Sequence, residues 1–140
     1  MRLTPVLSVA LAALFVASIA FAAKPQSANA VISELGASGI SGSADLRIDP
    51  QSGNVRVHES LSGLTPGAQY SSVIYLNSST CGAGVNVVPV EVMTFTANPA
   101  GKATFNAIVP PAAVPLFDGG ASISVQQSTT LLGCGTVIAQ

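Results

Sequence analysis

Residues 43–61 read SADLRIDPQSGNVRVHESL, and this stretch decides the fold class. In both halves apolar residues alternate with polar ones, at Leu46, Ile48, Val55 and Val57. A period of two is typical of a β-strand with one buried face. The turn-forming residues PQSG lie between the two halves, at 50–53. The stretch therefore predicts a β-hairpin of two half-buried strands.

Further strands are predicted along the chain at 71–77, 93–97, 102–109, 121–127 and 136–139. The sequence NPAG at 98–101 suits a type I turn, so the strands that flank it predict a second hairpin. Residues 110–120 contain three prolines and two glycines and predict a connection. No helical periodicity is present after the first residues. The pattern predicts an all-β fold, a Greek-key antiparallel β-sandwich or flattened barrel of about seven or eight strands.

The first residues are typical of a secretory signal. Arg2 provides a positive charge, an apolar run covers 6–19, and small residues precede a cleavage site after Ala22. A second site after Ala30 lies further from the apolar run. A retained membrane anchor is the alternative, but the run is shorter than the roughly 20 residues that span a bilayer. We therefore expect export to the periplasm or the extracellular space, with no stable membrane anchor after cleavage.

Length and composition indicate that one domain follows the signal peptide. We expect a cleaved signal peptide at 1–22, an N-terminal segment at 23–38 and the β-sandwich domain at 39–140. Only 8% of residues are charged, and the formal net charge is -1. No cluster of basic residues is present, which argues against nucleic acid and acidic membrane surfaces as partners.

The chain contains two cysteines, Cys81 and Cys134. Paired cysteines of exported proteins usually form disulfides, because the compartment is oxidising. An intramolecular disulfide between the two would stabilise the fold by about 4 kcal/mol. Two free thiols and an intermolecular disulfide are the alternatives.

Four motifs resemble, in the same order, those of the copper/zinc superoxide dismutase family. They are GLTPG at 63–67, FTANPAGKA at 95–103, ISVQ at 123–126 and GCGTVI at 133–138. In that family they correspond to the turn before the first metal-ligand strand, a hairpin, the strand of a late copper ligand, and a terminal segment with a disulfide cysteine. The resemblance implies the family's sandwich fold, with Cys81 as the disulfide partner of Cys134.

The residues that would hold the family's metals are replaced. Copper and zinc sites of this kind need several imidazoles, and His58 is the sole histidine. Counted from the motifs, the copper ligands fall on Ser72, Ile74 and Gln126, the bridging ligand on Val87, and the arginine that attracts superoxide on Leu131. The zinc-binding and anion-steering loops have no counterpart of sufficient length. The resemblance therefore predicts a protein that is not an enzyme and has no metal or other cofactor.

No other catalytic arrangement emerges from the sequence. His58 is out of phase with Val55 and Val57, so we expect it on the exposed face, with Glu59 on the opposite face. A Ser-His-Asp triad would have to use His58, and no serine is marked as its nucleophile. The acidic residues are not paired as in glycosidases.

An apolar partner surface could replace the lost chemistry. In the resembling fold the ligand side chains point away from the core, which places Ser72, Ile74 and Leu76 outside, and Val73 and Tyr75 inside. The resemblance places Val87 and Leu131 near this strand. Together with the two outward apolar residues of the strand they form a predicted exposed face made of Ile74, Leu76, Val87 and Leu131. Such a face would bind another protein or a second copy of the chain. The alternative is that the shortened loops fold over it as a small second core.

The leading functional hypothesis is a secreted or periplasmic, non-catalytic dismutase-like domain that acts as a binding or structural module. A second hypothesis is a divergent copper/zinc superoxide dismutase that depends on His58. A third is a chordin-type (CHRD) domain, which shares the Ser-Gly-x-Ala-x-Leu pattern found at 41–46. The chordin-type His-x-His feature is absent here.

Overall fold

A computed structural model describes residues 26–110 and 120–140, and all regular structure in these two ranges is β. The strands are β1 (Gln26–Glu34), β2 (Ser41–Ile48), β3 (Val55–Ser62), β4 (Gln69–Leu76), β5 (Val88–Thr96), β6 (Ala103–Val109), β7 (Ala121–Gln127) and β8 (Thr130–Ala139). The predicted all-β fold class is confirmed. The predicted signal peptide, 1–22, and most of the connection predicted at 110–120 lie outside the described residues. Across the described ranges, no helix has the length and apolar character needed to cross a membrane.

All strand pairs are antiparallel and follow the order β5-β4-β7-β8-β1-β2-β3-β6, which forms a nearly closed, flattened barrel. β1 lies between β8 and β2, and its residues Ala28, Ala30 and Ile32 point into the core. The sheet thus begins earlier in the chain than residue 39, where we predicted the domain to start. Sequence reasoning missed β1 because its inward positions are mostly alanine, which is not enriched in strands.

The first predicted hairpin is confirmed. β2 and β3 pair over their whole length, with Leu46 opposite Val57 and Ile48 opposite Val55. In the turn between them, the N–H of Gly53 donates to the carbonyl of Asp49 at 2.8 Å. The inward face of β3 is continuous with the core, because Val55, Val57 and Leu61 belong to one buried cluster.

The second predicted hairpin is wrong, although its turn is present. The N–H of Gly101 donates to the carbonyl of Asn98 at 3.0 Å, as a type I turn requires. The flanking strands then separate, because β5 pairs with β4 and β6 pairs with β3. Residues 98–101 therefore connect the two ends of the sheet. A turn sequence defines only its own four residues, and the pairing of the strands beyond it depends on the rest of the fold.

Aromatic side chains fill the space between the two end strands. Phe95 of β5 and Phe105 of β6 have ring centroids 4.8 Å apart, and Tyr70 of β4 stacks on Phe95 at 5.9 Å. The hydroxyl of Tyr70 accepts a hydrogen bond from the N–H of Thr65 at 2.9 Å. The cluster packs the core at the side where β5 and β6 form no ladder.

The predicted disulfide between Cys81 and Cys134 is confirmed, with the two Cα atoms 6.0 Å apart. Cys134 lies in β8, whereas Cys81 lies in the long loop between β4 and β5. The N–H of Cys81 also donates to the hydroxyl of Ser122 in β7 at 2.8 Å. The disulfide and this hydrogen bond together hold the loop against the outer side of β7 and β8.

We expect Gly101→Ala to lower the free energy of unfolding by about 2 kcal/mol, through strain at a left-handed residue combined with a steric clash. Gly101 has a φ of 69°, and a Cβ there would lie 2.5 Å from the carbonyl oxygen of Leu64. Gly36 is the matched control, since its φ is 63° and no atom lies within 4 Å of a Cβ. Gly36→Ala should cost only about 1 kcal/mol. Urea unfolding measures both, and equal losses would contradict the clash.

Candidate functional site

The predicted apolar partner face does not form, because β4 has the opposite orientation to the one predicted. Ile74 and Leu76 are 1% and 2% exposed and belong to the core, as does Tyr70. Val73 and Tyr75 occupy the outward side. Residues 72–76 read SVIYL, which is apolar in both phases apart from Ser72, so alternation alone could not orient this strand.

The other two residues of the predicted face do not join them. Leu131 is half-buried and pairs with Gln126, at one end of β7, whereas Leu76 pairs with Ala121 at the other end. Val87 is half-buried in the loop before β5. The structure thus brings no apolar surface together from the four predicted residues Ile74, Leu76, Val87 and Leu131.

The loop that carries Cys81 covers the outward side of β4 and β7. A Cβ on Gly82 would lie 3.4 Å from Cε1 of Tyr75, so the loop backbone packs on that ring. Beneath the loop, Ser122 and Ser124 are fully buried although they point away from the core. The alternative expected for the region, a loop folded over the four predicted residues as a small second core, is also not realised, because this loop covers Tyr75 and the two serines.

The positions aligned with metal ligands do not converge on one point. Ser72 and Ile74 point into the core, whereas Gln126 lies on the other side of the sheet and accepts a hydrogen bond from the Tyr75 hydroxyl at 3.3 Å. Within residues 26–110 and 120–140, no three His, Cys, Asp or Glu side chains are grouped so as to hold a metal ion.

A buried acid lies inside the core. Glu59 of β3 is 0% exposed, and its Oε2 accepts a hydrogen bond of 2.6 Å from the hydroxyl of Ser72 on β4. Its Oε1 has no hydrogen-bond partner among the described residues. Burial raises the pKa of Glu59 to about 7, and the Ser72 hydrogen bond opposes part of this rise. Because no substrate can reach a fully buried carboxyl, we assign Glu59 no catalytic role.

The alternation of β3 predicted the side on which Glu59 lies. His58 is exposed and Glu59 points inward with Val55 and Val57, as expected. The prediction stopped at the side of the strand and did not recognise that this side places an ionisable group in the core. A carboxylate in phase with an apolar stripe is the pattern that could have revealed it.

Both arginines of the described residues lie instead on the outer face of the sheet formed by β2, β3 and β6. We call this surface the basic groove, and its principal side chains are Asp45, Arg47, Arg56, His58, Asn106 and Ile108. The groove is open to solvent and has a volume of about 610 Å³. It contains both arginines and the histidine of the described residues.

Strand register explains how the groove is assembled. Arg47 lies directly opposite Arg56 across β2 and β3, and Asp45 lies opposite His58. On the other side of β3, His58 pairs with Asn106, and their Nδ1 and Oδ1 atoms are 2.9 Å apart. With Oδ1 as the acceptor, Nδ1 carries the proton and Nε2 is left to solvent. The predicted β2–β3 hairpin could have revealed the arginine pair, but the contribution of β6 depended on a pairing that we did not predict.

Comparison of the sequence with protein-family models and with curated proteins gives no match.

Proposed function

We propose that this chain is an exported, non-catalytic β-sandwich domain of the copper/zinc superoxide dismutase type that binds a ligand through the basic groove. The observation that carries the proposal is the concentration of Arg47, Arg56 and His58 on one face of a chain with only 8% charged residues. A concave surface that brings together both arginines of the described residues, in a chain with few charges, has the features of a binding site.

Loss of dismutase chemistry is supported by the placement of the aligned positions. Ser72 and Ile74 point into the core, and Gln126 bonds to Tyr75, so these side chains offer no common centre for a copper ion. The exposed His58 lies on another face of the barrel, in β3, and its Nδ1 is engaged with Asn106.

Export is supported by the disulfide, which is consistent with an oxidising compartment. β1 begins at Gln26, so a cleavage after Ala22 would leave the strand complete. Cleavage after Ala30 would remove half of β1, including the buried Ala28. This favours the first of the two sites that the sequence offers.

We expect the purified protein, incubated with copper and zinc and then dialysed against a chelator, to retain neither metal stoichiometrically. Superoxide dismutation should not exceed that of a blank dialysed in the same way. Elemental analysis and a superoxide assay measure the two quantities. One retained copper per chain together with dismutation, and loss of both in His58→Ala but not in Asn106→Ala, would establish the divergent enzyme instead.

The binding function is tested by nuclear magnetic resonance with a set of small neutral, cationic and anionic fragments. We expect the amide resonances that shift to cluster on β2, β3 and β6 around Arg56 and His58. If no fragment of any class shifts these resonances, the groove is not a binding site and the proposed function is wrong.

A further inference from the structure

We infer that the basic groove binds a small organic anion, with an oxyanion group held between Arg47 and Arg56 and an apolar portion packed on Ile108. This inference rests on the proposed function, since it names the ligand class of the same groove. Its starting point is the arginine pair.

The two arginines lie directly opposite each other on the adjacent strands β2 and β3. Directly opposite residues of antiparallel strands have Cβ atoms roughly 5 Å apart, and like charges in that position destabilise the sheet. Both side chains are exposed. Neither guanidinium forms an ion pair with a carboxylate of the described residues. The repulsion between the two cations is therefore not relieved by a close ion pair in the described part of the chain.

An oxyanion between the two guanidinium groups would relieve this repulsion. Guanidinium is planar, carries five N–H donors and matches carboxylate, phosphate and sulfate oxygens in a bidentate arrangement. Such charge-assisted hydrogen bonds are roughly twice as strong as neutral ones. The pair thus offers an anion two sets of donors from opposite sides.

The neighbours of the pair define the rest of the ligand. Ile108 pairs with Arg56 in the ladder and is 64% exposed, so it offers an apolar surface beside the cationic centre. His58 lies two residues further along the same face of β3, and its Nε2 is directed to solvent. The groove is therefore suited to an anionic head group with a short hydrocarbon portion.

Two carboxylates limit the charge of that ligand. Asp45 lies in the groove opposite His58, and it would repel a second negative group. Asp49 is near Arg56 but serves the turn, since its Oδ1 accepts hydrogen bonds from the N–H groups of Gln51 and Ser52 at 2.8 and 3.4 Å. These bonds, with that of Gln51 the largest, lower the pKa of Asp49, and the attraction of Arg56 contributes least. One anionic head suits the groove better than a polyanion.

The test titrates labelled protein with probes that share a six-carbon chain: hexanoate, hexyl phosphate, hexyl sulfate, hexanol and hexylamine. We expect the three anions, and neither hexanol nor hexylamine, to shift the resonances of β2, β3 and β6. Acetate and inorganic phosphate should bind more weakly than their six-carbon counterparts, because they lack the portion that contacts Ile108. The ranking of the three anions identifies the head group.

Arg47→Gln and Arg56→Gln should each raise the dissociation constant of the best anion roughly tenfold, as expected for loss of a charged hydrogen bond. Lys102→Gln is the matched control, because it removes an exposed cation outside the groove. Circular dichroism verifies that each variant is folded, and removal of one like charge should leave stability unchanged or raised.

Three results would overturn the inference. They are equal binding of hexanol and hexanoate, equal weakening by Lys102→Gln, and unchanged affinity in both arginine variants. Binding of hexanol or hexylamine in the groove without binding of any anion would refute the ligand class and leave the binding function standing. If none of the probes shifts the resonances of the groove, both the anion inference and the proposed binding function are wrong.

Discussion

Glu59→Gln is expected to raise the free energy of unfolding by about 2 kcal/mol at pH 8 and to lower it by about 1 kcal/mol at pH 4. The change in sign follows from one buried proton. The ordinary pKa of a glutamate is 4.5, and that of Glu59 in the folded chain is about 7, mainly because burial disfavours the carboxylate. The folded state therefore holds this proton more tightly than the unfolded state does.

The direction of the pH dependence follows from that difference. Below pH 4.5 the carboxyl is protonated in both states and has no effect on the pH dependence of stability. Between pH 4.5 and about 7 the unfolded chain loses the proton first, so stability falls as the pH rises. Above about 7 the full cost is present, and a difference of this size corresponds to about 3 kcal/mol.

Glutamine removes the titration but keeps the shape. Its carbonyl can still accept the hydrogen bond of Ser72, which now joins Oε2 of Glu59 at 2.6 Å. Its amide places N–H donors at a site where Oε1 has no partner among the described residues, and this explains the small loss at low pH. At high pH the absence of a buried charge outweighs that loss.

The measurement is urea unfolding of both proteins from pH 4 to pH 8, with the disulfide intact. Far-UV circular dichroism is the appropriate signal, because the chain contains no tryptophan. Glu91→Gln is the matched control, since it removes an exposed carboxylate of the same length from β5. A difference between wild type and Glu59→Gln that stays constant across the pH range would show that Glu59 is not a buried acid.

Replacement of both cysteines by serine is expected to have the largest effect, a loss of about 4 kcal/mol in the free energy of unfolding. Cys81 and Cys134 are 53 positions apart, so their bond restricts a long segment of the unfolded chain. The bond also holds Cys81 at a φ of 48°, in the left-handed region that non-glycine residues seldom adopt.

The local consequence of losing the bond is release of the loop between β4 and β5. That loop covers Ser122 and Ser124, which become accessible when it moves. Hydrogen exchange should therefore increase in β7 before the rest of the sheet responds. Wild type reduced under native conditions is the control, and its stability should equal that of the double variant. A loss below 1 kcal/mol in both would contradict the assignment.

The sequence predicts this fold best where one face of a strand is apolar and the other polar. Residues 43–61 meet that condition, and the β2–β3 hairpin and the outward direction of His58 both follow from it. β4 fails the condition, because apolar residues occupy both of its sides between Val73 and Leu76. An orientation taken from a resembling family then placed Ile74 outside, although it is 1% exposed.

The candidate site required pairing between distant segments. Arg47 and Arg56 could be placed side by side from the hairpin alone, but Asn106 and Ile108 join them only because β6 leaves β5 and pairs with β3. Likewise, the contact between Glu59 and Ser72 depends on the inward direction of β4. Alternation within one strand contains no information about which strand lies beside it.

The position of β1 in the sheet has a consequence for the order in which the protein can fold. β1 is the first strand of the described chain, yet it pairs with β8, the last, near the middle of the sheet. The central ladder, and the disulfide to Cys134 in β8, cannot form until β8 has been synthesised. Such long-range pairings form slowly. The nascent chain therefore remains without its completed core throughout most of its synthesis, which is the condition in which a polypeptide can be threaded across a membrane.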